Sequence, residues 1–125
     1  MDVDQQKSED IKRILTNKGF AQFGDALLNF AYSLALTETT GQPKGARVPD
    51  KTLAEAAAKT GLRKYLPRRV GRGDIANSLE ALLGYSWLQK NLTIDEIVAS
   101  LKSEGLSPAD NFARLAEMAL ARLEK

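Results

Sequence analysis

The chain contains no cysteine and no histidine. Without thiols there are no disulfides and no thiolate nucleophile; without imidazole there is no Ser-His triad and no ordinary zinc site. Long apolar runs are also missing. None approaches the roughly 20 residues that cross a bilayer. The opening MDVDQQKSEDIKR is acidic and polar, unlike a secretory leader. These absences lead us to expect a cytoplasmic protein with no membrane partner. No segment alternates with period two for long enough to make a convincing strand. The net charge of +2 is too small to dictate a partner. Any chemistry is left to carboxylates, Lys, Tyr, Ser/Thr, or a hard, oxygen-bound metal such as Mg²⁺.

What is present reads as helix. The 125 residues, 43% hydrophobic and 27% charged, suit one domain over 1–125 with a real core. A first helix is expected from about Ser8, as N-cap, to Asn17, closed by Lys18-Gly19. A second covers about 20–37 and is apolar over most of its circumference, so it is expected at the centre. TTGQPKGARVP (39–49) reads as a Gly/Pro loop. Asp50 should cap a third helix over 51–60, followed by a short turn at 62–66 and a basic loop, RRVGRG (68–73). A long helix over 74–90 carries Leu79, Leu82, Leu83 and Trp87 as its apolar stripe. Thr93 and Glu96 form a capping box for a helix to about Ser103. Ser107-Pro108 opens the last helix as N-cap and N1 proline. The fold class is all-α.

Two stretches carry the functional information. FGDALLNF (23–30) places one carboxylate, Asp25, directly after a glycine in an apolar helical run, where a charge needs a partner, a metal or water. ANSLEALLGYSWL (76–88) places Asn77 and Glu80 three residues apart, on a shared face. Its Gly84 would admit a second backbone at close range.

These two segments resemble the hallmark segments of the ribonuclease III catalytic domain, of the form E-F-L-G-D-A-V-L and A-D-x-x-E-A-L-I-G-A-x-Y-L. TLAEAAAKTGLRKYL (52–66), between them, is similar to that family's T-L-A-x-x-A-x-x-x-G-L-x-x-Y-L. The likeness covers roughly residues 8–103, with three segments in order. It implies a bundle of about six or seven helices, double-stranded or structured RNA as substrate, Mg²⁺ or Mn²⁺ as cofactor, and a homodimer. By this resemblance Asp25 and Glu80 are the catalytic carboxylates and metal ligands. Asn77 stands where the family has an aspartate and can still offer an uncharged oxygen. Glu38 is the candidate for a further acid in the loop after the first hallmark helix. The chain also departs from the pattern: the acids expected four and seven residues before Asp25 fall on Ala21 and Lys18.

LRKYLPRRVGRG (62–73) holds Arg63, Lys64, Arg68, Arg69 and Arg72 with no acid among them. Beside an acidic site, such a stretch suits phosphate binding on duplex RNA, which is read largely by shape. The plainer alternative is a solvated loop paired with Asp74, Glu55 and Glu80. No separate double-stranded-RNA-binding domain is expected after residue 125. Phe20 and Phe23 are candidates for the dimer contact, although Gln22 occupies the family's usual phenylalanine position. Three readings stay open: a Mg²⁺-dependent endoribonuclease, an impaired relative that binds RNA as a dimer, and a helical protein-interaction domain.

Overall fold

The computed structural model describes residues 3–125, which form six α-helices and one 3-10 turn, with no strand among the described residues. The all-helical expectation holds. The helices are α1 (Val3–Leu15), α2 (Lys18–Thr40), α3 (Asp50–Ala58), α4 (Arg72–Leu88), α5 (Ile94–Leu101) and α6 (Pro108–Glu124); the 3-10 turn is Gly61–Tyr65.

Local chemistry accounts for most of the boundaries. Ser107 caps α6 through a hydrogen bond from the Asp110 amide, with Pro108 in the first turn. Thr93 and Glu96 make the reciprocal capping box at the start of α5. Gly41 ends α2 at φ 75°, a left-handed conformation that glycine adopts without steric cost. Several boundaries differ from the sequence expectation: Asp50 does not cap α3 but is its first residue, Pro49 preceding it as N-cap without a side-chain bond, and α4 starts at Arg72, inside the expected basic loop. Helix α1 begins well before Ser8. Lys18-Gly19 does not close α1 but opens α2, because the Asn17 side chain accepts from the Phe20 amide at 2.9 Å and caps the new helix. Gly19 there is an ordinary first-turn residue.

The centre of the bundle is α4, not α2. Helix α4 packs against α1, α2, α3 and α6. Its Ala76, Leu79, Ala81, Leu82 and Leu83 are fully buried, so nearly its whole middle is enclosed. The long apolar circumference of α2 ends partly in solvent, with Phe30 58% exposed. Trp87, assigned from sequence to the α4 stripe, lies at the surface against Phe23, ring centroids 5.6 Å apart.

Helices α2 and α4 meet backbone to backbone. A Cβ placed on Gly24 would lie 1.9 Å from the Glu80 carbonyl oxygen, and one on Gly84 would lie 2.8 Å from the Phe20 carbonyl oxygen. Only hydrogen fits at either position. On the far side, Arg122 of α6 clamps Glu96 of α5 through two hydrogen bonds, 2.7 and 3.1 Å, and also donates to the Asn91 carbonyl. The paired guanidinium holds the Glu96 carboxyl down at about 2.

Gly24→Ala should therefore destabilise the fold by about 3 kcal/mol or more, since the clash is with backbone that cannot step aside. Gly45→Ala, where an added Cβ meets nothing within 4 Å, should change stability by less than about 1 kcal/mol. Urea melts of the two variants against the parent test this contrast, and equal losses would refute the close-approach argument.

Candidate active site

An open cleft of about 360 Å³ lies at the α2–α4 contact, lined by Lys18, Ala21, Gln22, Asp25, Arg47, Asp50, Asn77 and Glu80. Three segments build it. Helix α2 contributes Lys18, Ala21 or Gln22, and Asp25, spaced by three or four residues and so aligned on one face. Helix α4 contributes Asn77 and Glu80 by the same spacing. The loop between α2 and α3, with the first residue of α3, contributes Arg47 and Asp50.

The loop contribution is held in place by a row of small polar side chains further along α2. The Asn29 side-chain oxygen accepts from the Val48 amide at 2.8 Å, while its amide nitrogen donates to Asp25 at 3.2 Å. Ser33 bonds both backbone groups of Ala46, at 2.8 and 3.1 Å. Thr37 does the same for Lys44, at 3.0 and 3.2 Å. Residues 44–48 are thus laced back along α2 toward Asp25. From sequence, Arg47 falls in a loop and Asp50 at a helix cap, and neither is assigned to the site. The signal that could have found them is the four-residue spacing of Asp25, Asn29, Ser33 and Thr37, which lines up one polar row on an otherwise apolar helix.

Asp25 and Glu80 come together as expected. Glu80 is only 4% exposed. Its pKa is pushed up to about 8, first by burial and then by the facing Asp25 carboxyl, with which protonated Glu80 can share a hydrogen bond. The Asp50 charge adds to the rise and Arg47 opposes it. Asn77 is exposed at the cleft wall.

Glu38 does not join them. It lies thirteen residues beyond Asp25 on α2, about 20 Å at 1.5 Å per residue, and pairs with Lys102 at 3.0 Å. The acid that enters from beyond α2 is Asp50. Asp25 and Glu80 offer hard carboxylate oxygens and Asn77 an amide oxygen. No group of three or more acids among the described residues forms a ready cation cage. That donor set still fits Mg²⁺ or Mn²⁺, because Mg²⁺ keeps several waters and is commonly held by one or two carboxylates.

The basic stretch divides into two parts. Arg63 is spent on its own loop, donating to the Pro67 and Arg68 carbonyls at 2.7 Å each. Lys64 lies 3.3 Å from Glu124 and near the Tyr65 ring. Arg68, Arg69 and Arg72 are exposed, and their side chains make no hydrogen bond or ion pair among the described residues. A second, more apolar cavity of about 270 Å³ shares Lys18, Ala21 and Asn77 with the cleft and reaches Pro67, Val70 and Asp74, so the basic loop adjoins the site. On the same bundle, Phe20 packs edge-on against Tyr85 at 5.1 Å. Trp87 and Leu88 are 37% and 44% exposed.

Among known proteins, a family model described as Ribonuclease III matches residues 18–124. Comparison with curated proteins returns no match.

The raised Glu80 pKa sets a pH dependence with a definite sign. Between about pH 4.5 and 8 the native state keeps a proton on Glu80 that the unfolded chain has released, so stability falls as pH rises through that window. In metal-free buffer the melting temperature should drop between pH 5 and pH 8.5. Glu80→Gln, which carries no ionisable proton, should flatten that part of the profile. An unchanged slope in the variant would place the titration elsewhere.

Proposed function

Because the chain belongs to the ribonuclease III family, we propose that it binds structured or double-stranded RNA across the α2–α4 cleft and cuts the phosphodiester backbone there, with Mg²⁺ or Mn²⁺ as cofactor. The observation that carries this reading is the meeting of Asp25 and Glu80. These carboxylates come from the two hallmark helices and are brought face to face in an open cleft, Glu80 buried in its wall. Bound divalent metal supplies charge neutralisation at the phosphate and a nucleophilic water at neutral pH. The chain's own residues hold and frame that chemistry. Asp25 is oriented by Asn29, which is itself fixed by the Val48 amide. Glu80 would hold such a cation in its ionised form, its proton passing to solvent. Asn77 adds a neutral oxygen. Arg68, Arg69 and Arg72, exposed and uncommitted at the start of α4, take RNA phosphates. The half-buried Phe20 and Phe23, with exposed Trp87 beside them, form the face of a two-fold dimer.

A second reading has its own support. Ala21 and Asn77 stand at expected acid positions, and Lys18 and Arg47 enter the cleft. This composition also suits a dimeric RNA-binding relative that holds duplexes and cuts slowly or not at all.

Incubating the protein with labelled duplex RNA and Mn²⁺ separates the two. The first reading expects cleavage that EDTA stops and Asp25→Asn abolishes. It also expects Ala21→Glu with Asn77→Asp, which restores two anionic ligands, to raise the rate. Binding without cleavage, even in that double variant, selects the second reading. Replacing Arg68, Arg69 and Arg72 together by Ala should weaken duplex affinity and lower its salt slope by roughly two to three, about 0.9 for each phosphate no longer neutralised. Unchanged binding would leave that loop as surface.

A further inference from the structure

The cleft holds two cations that the carboxylate chemistry does not use. Lys18, the first residue of α2, and Arg47, from the loop laced onto α2, both line it. Both are exposed. Three acids share the cavity with them, yet neither cation makes a salt bridge within 4 Å among the described residues, whose ion pairs all lie elsewhere. Neither donates a side-chain hydrogen bond to the protein among those residues. The cavity, about 360 Å³, leaves room for a group to sit between them and the acids.

The placement of these charges is informative. Lys18 lies one helical step from Ala21, and both stand where the family resemblance has acids. Asn77, on the facing wall, stands at another such position. Relative to the pattern that the resemblance implies, this part of the cleft carries less negative and more positive charge. The Asp25–Glu80 pair next to it keeps its carboxyls. Gln22 on the α2 wall and Asn77 on the facing α4 wall add neutral amides, which can donate as well as accept. A lining of Lys, Arg and amide groups is complementary to an anion. Arg47 presents a planar fork suited to two phosphate oxygens, and Lys18 a compact point charge.

Resting on the RNA-binding reading above, we propose that Lys18 and Arg47 form a phosphate-gripping pair that holds one backbone phosphate of the RNA directly against the Asp25–Glu80 pair. Protein cations here take over part of the charge neutralisation that a fuller set of acids would assign to bound metal. The grip needs no metal, so it is measurable without one.

The test is duplex RNA affinity in EDTA, by fluorescence anisotropy, over a range of salt. Lys18→Ala and Arg47→Ala should each weaken binding about tenfold and lower the salt slope by roughly one, as expected when each variant removes one cation from the phosphate. The charge-conserving Lys18→Arg and Arg47→Lys should keep the wild-type slope, which separates loss of the ionic grip from loss of the fold. Lys59→Ala serves as the control for loss of one positive charge, because Lys59 is committed to Asp110; it should leave affinity near wild type. Wild-type affinity and slope in both alanine variants would overturn the grip while leaving the RNA reading intact. Equal losses in Lys59→Ala would overturn it too, as a net-charge effect. A wild-type protein that fails to bind duplex RNA in EDTA, while its Mn²⁺-loaded form binds, would overturn the grip alone. Failure under both conditions would overturn both readings.

Discussion

The close packing of Gly24 against Gly84 is the constraint on which the site depends. Two helices ordinarily stay 8–10 Å apart because side chains intervene. Here the Glu80 carbonyl occupies the space that any Cβ at position 24 would need. Position 25 follows directly on α2, and position 80 is the very residue that Gly24 meets on α4. The close approach therefore delivers two acids to one point. It also buries Glu80, and burial beside a second carboxyl lifts its pKa to about 8. A lone ionised carboxylate in that position would be costly. The fold accommodates it by retaining a proton, and bound metal would accommodate it by supplying a counter-charge. Packing and chemistry at this crossing are one arrangement.

The loop after α2 is the second determinant. A Gly/Pro segment has little intrinsic preference for one path. Asn29, Ser33 and Thr37 supply that preference by bonding the backbone of residues 44–48 at three successive turns of α2. Asn29 links this lacing to the site, since one end of its amide holds the loop and the other holds Asp25. The lacing sets the path that brings Arg47 to the cleft, and the packing of α3 on α4 holds Asp50 there. The resulting site is mixed in charge, with three acids and two cations along one cavity. A site built only to concentrate cations would be lined by acids alone.

Residues that look alike in sequence also separate by role. Arg63 and Arg68 belong to one basic stretch, but Arg63 holds the loop's own carbonyls and the Arg68 side chain points to solvent. Lys64 is tied to the end of α6. What is left uncommitted is the set nearest α4, Arg68, Arg69 and Arg72. Geometry thus narrows five basic residues to the three whose charges are uncommitted.

The sequence by itself determined the helices, the caps of α5 and α6, and the family. Capping depends on residues within one turn of each other, so Thr93, Glu96, Ser107 and Pro108 were legible directly. Asp25 and Glu80 were legible because each sits in a segment whose pattern is local. Where the reading erred, the deciding partner lay elsewhere. Gly19 looked like a helix stop until the Asn17 side chain capped α2 instead. Helix α2 looked central by its apolar circumference, but α4, with small residues on the sides that α2 and its other neighbours approach, was the helix that could be surrounded. Glu38 was near enough in sequence to seem part of the site, but a straight helix carried it about 20 Å away. Arg47 and Asp50 were assigned to loop and cap, and long-range contacts brought them to the cleft: hydrogen bonds spanning 7 to 19 residues for the loop, and the packing of α3 on α4 for Asp50. Short-range chemistry wrote the elements; long-range packing chose which of their side chains meet.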